Sequence, residues 1–359
     1  MAKRMVFLYA GNNANGVAYN YTEAQIGSFT NADEFVIAAS INNYLNNDTA
    51  LNTHLNAVVS LAARTINKTG KHVWLSLPYF PKGSPFTVST YAPVAQKLIS
   101  CAATLKQKFN GWMGSNTAFD TYVEGFYIVN EHVDQESGVK LNTSSLTTMK
   151  QHPEVYTFAT VSDYVKGTLN KKMLWCPYYG TGVTTNDTIN SVGSIANKTN
   201  IFDYVFIQPV YYFLRSQDIF ENLGAIRRSM RDHRVYTRNG TVVGGSKTSN
   251  TQIGVQMEID ACYVNGRGAA ANRDAATSED AQNRFSYYAD CYNNTPIPAV
   301  TNGDVYSNHA ALPALSGYSK ANAHISFYCG APLSGNTQTI QNNNTAYSVI
   351  SSIANNYLG

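Results

Sequence analysis

Val123-Glu124-Gly125-Phe126-Tyr127-Ile128-Val129-Asn130-Glu131-His132 is an apolar run that stops abruptly at an Asn-Glu pair. A short buried strand ending on polar side chains is how a barrel of parallel strands delivers functional groups to the site at its C-terminal end. Gly254-Val255-Gln256-Met257-Glu258-Ile259-Asp260 repeats the arrangement, again with a glutamate where the strand runs out. Two carboxylates so placed point to acid and base chemistry.

Working outward from these two stretches, the chain alternates strand and helix. Residues 5–10 are apolar and end in Gly11-Asn12-Asn13, a strand followed by a turn. Residues 35–40 form a second apolar run without alternation, as expected of a parallel strand covered on both faces. Residues 51–66 carry apolar side chains at helical spacing. Further strands are expected at 72–79, 125–129, 173–179, 202–209, 253–259 and 323–329, with helices at about 91–109, 155–169, 189–197, 218–232, 278–293 and 347–357. Asn239-Gly240 within residues 235–243 signals a two-residue hairpin turn. Eight strands alternating with helices predict a (β/α)8 barrel, one domain over residues 1–359 with extended connections after its strands. An open doubly wound sheet is the competing arrangement, but no Gly-x-Gly-x-x-Gly follows the first strand. Gly244-Gly245-Ser246-Lys247-Thr248 lacks the glycine that a phosphate loop places before its lysine and reads as an ordinary loop.

Composition narrows the partners. Over 359 residues, 44% are hydrophobic and 14% charged, with a net charge of +3. That is material for a core without the basic footprint of a nucleic-acid binder, so no nucleic-acid partner is expected. No apolar run approaches the ~20 residues of a membrane span, so no membrane partner is expected. Residues 5–10 are too short for the apolar core of a secretory leader. A secreted or periplasmic protein whose leader has been removed fits this beginning. The 25 tyrosines outnumber 15 phenylalanines and 3 tryptophans. Many fall at strand ends, where a flat face plus a hydroxyl suits a sugar ring, although abundant tyrosine also suits a strand-rich chain. The five cysteines include no Cys-x-x-Cys, which excludes a zinc ribbon or thioredoxin motif. Cys262 and Cys291 are the pair open to a disulfide.

In a barrel the strand ends converge, which gathers Asn12, Ser40, Tyr79, Asn130, Glu131, Tyr178, Tyr179, Gln208, Tyr211, Glu258, Asp260 and Tyr328 into one polar, aromatic, cation-poor set, with Tyr212 next to Tyr211. Phosphoryl transfer needs Arg, Lys or a metal cluster there. Seven scattered histidines with no His-x-His or His-Glu-x-x-His give no metal site, and no cofactor motif is present. His132 reads as an exposed or supporting residue. For one glutamate at a strand end, an ion pair with a lysine or arginine is the plainer reading; for two at corresponding ends, catalysis is favoured.

These residues resemble the clan A glycoside hydrolases, retaining enzymes on a (β/α)8 barrel marked by Asn-Glu at the end of strand four and a nucleophilic Glu at the end of strand seven. Phe126-Tyr127-x-x-Asn130-Glu131 and the run Asp203 to Phe213 also resemble an uncharacterised bacterial barrel family from carbohydrate-rich settings. The resemblance implies Glu131 as acid/base, Glu258 as nucleophile, Asn130 on the sugar 2-hydroxyl, and Tyr211 or Tyr212 orienting the nucleophile. One departure stands out: Ala39-Ser40-Ile41-Asn42 replaces the arginine that many members carry near the end of strand two.

The expected function is hydrolysis of a poly- or oligosaccharide glycosidic bond by a retaining two-glutamate mechanism, without cofactor. Glu131 would be kept protonated by an apolar surround and by the charge of Glu258. Tyr79, Tyr178, Tyr179, Tyr211 and Tyr212 would offer stacking surfaces and Gln208 and Asp260 polar contacts, while Trp175 serves equally well as core. Asp134 and Asp260 are rival carboxylates. The alternatives are a non-catalytic carbohydrate-binding barrel and a lyase using tyrosine as base. Long connections at 133–153 and 263–278 are expected to shape subsites or oligomer contacts, with Lys140, Arg267 and Arg273 as their cations.

Overall fold

The computed structural model describes residues 2–13, 15–39, 42–133, 141, 145–180, 185–213, 217–266, 277–301 and 309–359. Eight parallel strands close on themselves in sequence order: β1 (Arg4–Tyr9), β2 (Glu34–Ala38), β3 (His72–Leu77), β4 (Val123–Ile128), β5 (Lys172–Trp175), β6 (Tyr204–Ile207), β7 (Gln252–Glu258) and β8 (His324–Tyr328). The ring is sealed where β8 pairs with β1 through Met5↔Ser326. The helices between them are α1 (Glu23–Gly27), α2 (Asp48–Thr69), α3 (Val88–Met113), α4 (Ala118–Tyr122), α5 (Leu146–Met149), α6 (Pro153–Gly167), α7 (Thr185–Lys198), α8 (Gln217–Asp232), α9 (Cys262–Asn265), α10 (Ser278–Asn293) and α11 (Gln338–Leu358). This is the (β/α)8 barrel expected from the strand and helix periods.

The period-two geometry of each strand sorts its apolar residues into two cores. Inward positions Met5, Phe7, Val36, Trp74, Tyr127, Leu174 and Phe206 fill the barrel as one cluster. Outward positions such as Val6, Phe35, Leu75, Phe126, Trp175, Val205, Met257 and Phe327 join the helices in the other. Burial on both sides is why these strands read as continuous apolar runs. Near the N-terminal end, Glu34 is buried and accepts from Trp74 Nε1 at 2.7 Å while pairing with Lys3. An inward carboxylate is tolerated there because both oxygens are engaged.

Local signals set most helix ends. Asn47 caps α2 by accepting from the Ala50 amide, and Gly70 ends it with φ of 67°. The last helix begins at Gln338, well before the expected 347, because Thr337 caps it and Asn344 exchanges hydrogen bonds with Leu333. Its Gln- and Asn-rich front half carries no apolar period, so only the cap and this contact define it. At Asn239-Gly240 the turn is a three-residue loop. Tyr236 bridges Val242, the Thr237 amide donates to the Thr241 carbonyl at 2.8 Å, and Gly240 alone takes the positive φ, 84°. All five cysteines are free, so Cys262 and Cys291 are not bridged; Cys291 instead lies 3.6 Å from an Arg227 nitrogen.

The N-terminal end of the barrel carries an acid-labile group. His324 is buried and its Nδ1 accepts from the Lys3 amide at 2.9 Å. Burial first, then His233 and Lys3, push its pKa from 6.5 down to about 4. The folded chain therefore binds fewer protons than the unfolded chain between these values. The stabilisation is complete above about 6.5 and is lost as pH falls toward 4, up to ~3 kcal/mol for such a shift. Urea midpoints of the wild type are expected to fall across this window, and those of His324→Gln to fall less. Parallel curves would overturn the assignment.

Candidate active site

The C-terminal ends of the strands make the mouth. Because Phe126 and Ile128 belong to the outer cluster and Tyr127 to the inner one, alternation turns Glu131 inward and Asn130 outward. Glu131 is exposed at the mouth. Its carbonyl accepts from the Tyr178 amide at 2.7 Å, which extends the β4–β5 pairing past both strands. Enough protein surrounds the carboxyl that loss of water pushes its pKa up, while a hydrogen bond from Gln208 pulls the other way. Tyr9, Tyr127 and Cys176 have raised pKa values through burial, with the Glu131 charge adding to each. These groups on β1, on β4 and just past β5 therefore lie within range of the Glu131 charge. The first cause of the raised value is this loss of water around the carboxyl.

Glu258, by the same alternation, sits at an inward position at the end of β7 and pairs in register with Tyr328 of β8. It is buried, and its Oε2 accepts from the Tyr288 hydroxyl at 2.5 Å. The Tyr288 oxygen in turn accepts from the Tyr212 amide at 2.8 Å. A group that orients Glu258 thus comes from α10, and the segment after β6 reaches it through the Tyr212 amide.

The two glutamates share a level. From Glu131 the register runs through Tyr178 to its bridge partner Gln208, one residue beyond the Ile207↔Val255 pair, and so to Gln256. The shear of this barrel type offsets level from register by about one residue per strand. Three strands of offset bring the level on β7 to within a residue of Glu258. Tyr9, which feels the Glu131 charge, and Tyr328, the register partner of Glu258, have ring centroids 5.5 Å apart, and Phe213 packs on Tyr328 at 5.8 Å.

The other expected site residues divide. Gln208 lies in the mouth, its amide donating to the Cys176 carbonyl at 2.6 Å as well as to Glu131. Tyr178 follows Leu174 and Cys176 on the inward side, and Tyr79 packs half-buried against the inner cluster. Asp260, half-buried, accepts from the Tyr212 hydroxyl at 3.2 Å and the Cys262 amide at 2.9 Å. Asn130 is drawn away from the mouth: its amide donates to the Phe80 carbonyl at 2.7 Å and its oxygen accepts from the Phe80 amide at 3.3 Å. That side chain clamps the ends of β3 and β4 instead of facing the opening. Tyr179 is fully buried, its hydroxyl donating to the Tyr236 carbonyl. Tyr211 and Tyr212 are buried in the outer layer, Tyr211 between Phe220 and Tyr287. None of these three offers a stacking face. Trp175 is core, donating to the Asn130 carbonyl at 2.6 Å. Ser40, Asp134, Lys140, Arg267 and Arg273 lie outside the described residues.

No protein-family model and no curated protein matches the chain. Solved structures with partial likeness include a GH18 chitinase from Pseudoalteromonas aurantia, 10% identical over 76% of this chain and 83% of its own, with a TM-score of 0.36. A xylanase-α-amylase inhibitor protein, XAIP-I, solved with trehalose, is 12% identical over 98% and 97%, with a TM-score of 0.42. A Group IV chitinase from Ostrinia furnacalis is 11% identical over 96% and 100%, with a TM-score of 0.41. Likeness at this level carries no argument about the site, which rests on the side chains themselves.

Sequence reasoning missed Tyr9 and Tyr288. Tyr9 was hidden at the end of an apolar strand, where only the inward period marks it. Tyr288 sits on a helix, and nothing in its spacing announces a hydroxyl aimed at a strand end.

Proposed function

We propose that the chain is a glycoside hydrolase acting on a neutral saccharide at the barrel mouth. Glu131 is the acid/base and Glu258 the nucleophile. The observation that supports this best is the state of Glu131, an accessible carboxyl with a raised pKa among tyrosines, level with a second carboxylate three strands away. A carboxyl whose pKa is raised by loss of water holds its proton to higher pH and can donate it to a leaving glycosidic oxygen. Glu258 would then attack the anomeric carbon, and the Glu131 carboxylate left behind would activate water to release the sugar. Tyr288, donating to Oε2 of Glu258, would hold that carboxylate in a fixed orientation.

One observation favours a second reading. Glu258 is 2% exposed. If it stays covered, Glu131 protonates the leaving group while a substrate acetamido group attacks in its place. A non-catalytic sugar-binding barrel is the reading from another class. Release of reducing ends from a panel of neutral and N-acetylated glycans, with the product anomer followed by NMR, separates the three. Retained configuration on plain sugars supports the two-glutamate mechanism, retention only on N-acetylated sugars supports the assisted one, and binding without release leaves a lectin-like barrel.

A further inference from the structure

The inward faces of β4 and β7 continue below the two glutamates. Gln256 lies two residues before Glu258 on the same face of β7, about 7 Å deeper in the barrel, and Tyr127 belongs to the inner cluster beneath Glu131. Each is 4% exposed. Buried polar groups ordinarily have hydrogen-bond partners, yet among the described residues neither the Gln256 amide nor the Tyr127 hydroxyl has one. Nor are these atoms sealed. Ser76 and Ser326, inward on β3 and β8, have hydroxyl oxygens closed off without a partner, whereas the Gln256 amide and the Tyr127 hydroxyl stay open to water.

Tyr127 ties this floor to the mouth. Burial raises its pKa well above the ordinary value and the Glu131 charge adds to the rise, so it keeps its proton. A phenol and a carboxamide each offer a donor and an acceptor and carry no charge. At the strand ends around them, Tyr9, Glu131, Cys176, Gln208, Glu258 and Tyr328 include two carboxylates and no cation. The floor therefore suits a neutral group bearing a hydroxyl. A carboxylate there would face the glutamates with nothing to neutralise it.

We propose that Gln256, together with Tyr127, is a specificity-determining contact that receives the hydroxymethyl arm of a neutral pyranose. This rests on the hydrolase reading above, which sets the anomeric carbon beside Glu258. The other hydroxyls of such a sugar are attached directly to ring atoms, whereas that of the arm is carried one carbon further out. It is the neutral group with the reach to leave the level of the glutamates and meet an amide one inward step below. A site built to hydrogen-bond a hydroxyl rejects the analogue that lacks it, because its own buried polar groups are then left unpaired. A pentose ring without the arm would leave both floor groups unmet, and a uronic acid would bring a carboxylate beneath Glu131.

The test compares methyl β-D-glucopyranoside with methyl β-D-xylopyranoside, which lacks only the arm, and with sodium methyl β-D-glucuronide, which carries a carboxylate in its place. Binding is read by saturation-transfer NMR and by the side-chain amide signals of Gln256, assigned by their loss in Gln256→Leu. The glucopyranoside is expected to shift those signals and to bind about tenfold or more tighter than either comparator. Gln256→Leu is expected to weaken the glucopyranoside by about tenfold and to leave the xylopyranoside within about twofold. A purely structural glutamine would weaken both sugars alike. Tyr127→Phe is expected to narrow the same preference, and it decides if Gln256→Leu fails to fold. Unmoved Gln256 signals, equal losses for the two neutral sugars or glucuronide binding as tight as that of the glucopyranoside would each overturn the proposal. Glu131→Gln is expected to keep the preference, so a preference without turnover of any glycan sinks the hydrolase and keeps the contact, while turnover beside unmoved Gln256 signals sinks the contact alone.

Discussion

Glu131→Gln is expected to lower kcat/KM on the best glycan by roughly 10³-fold, the range for removing a positioned general acid. The amide keeps the size and the Gln208 contact of the carboxyl but carries no acidic proton. Two further measurements tie the loss to the chemistry. Because the acid must be protonated, wild-type activity is expected to fall as pH rises through the raised pKa of Glu131. Gln208→Leu removes the hydrogen bond that lowers this pKa, so its alkaline limb is expected at higher pH. Glu258→Gln is expected to match the loss, about 10³-fold or more, if Glu258 attacks carbon. An effect under about tenfold in Glu258→Gln beside a full loss in Glu131→Gln would leave the assisted mechanism in front. Tyr288→Phe isolates the orienting hydroxyl, which meets Glu258 at 2.5 Å, and is expected to lower kcat more than it raises KM. Full turnover in both glutamate variants would sink the enzyme reading.

Gly125→Ala carries the largest expected cost in stability, about 3 kcal/mol or more. Gly125 sits at an inward position of β4, opposite Lys172 of β5 and beside Trp74 of β3. A methyl group there meets the Lys172 carbonyl, a backbone atom of a paired strand that cannot step aside, and the edge of the Trp74 ring. Trp74 has no room to retreat, being fully buried with Nε1 fixed to Glu34 at 2.7 Å. The variant's urea midpoint is expected to drop sharply. Gly111→Ala is the control: it lies near the end of α3 with nothing within 4 Å of the added methyl, and is expected to gain roughly 0.5–1 kcal/mol. Equal midpoints for the two variants would mean that β4 yields more than its register implies.

Much of this was legible in the chain itself. Alternating apolar runs and helical periods gave eight strands in order and the closed barrel, because a strand buried on both faces must be apolar throughout and a helix on its outside must be amphipathic. The same reasoning placed Glu131 and Glu258 at strand ends, where a polar residue cannot continue the buried run. What spacing alone did not supply was the direction in which each neighbour points. Asn130 and Glu131 are adjacent, yet one faces the helices and binds Phe80 while the other faces the opening. Tyr178 and Tyr179 part in the same way, as Tyr179 turns outward to Tyr236.

Contacts between distant segments were beyond the sequence altogether. The Tyr288 bond to Glu258 spans 30 residues and depends on how α10 leans on the barrel, and the pairing of Tyr9 with Tyr328 exists only because the ring closes. The sequence by itself determined the barrel, because hydrophobic period is a local property that burial enforces on every strand and helix. The membership of the site was decided only by the tertiary structure, because hydrogen-bond partners and local water exclusion depend on which elements pack together.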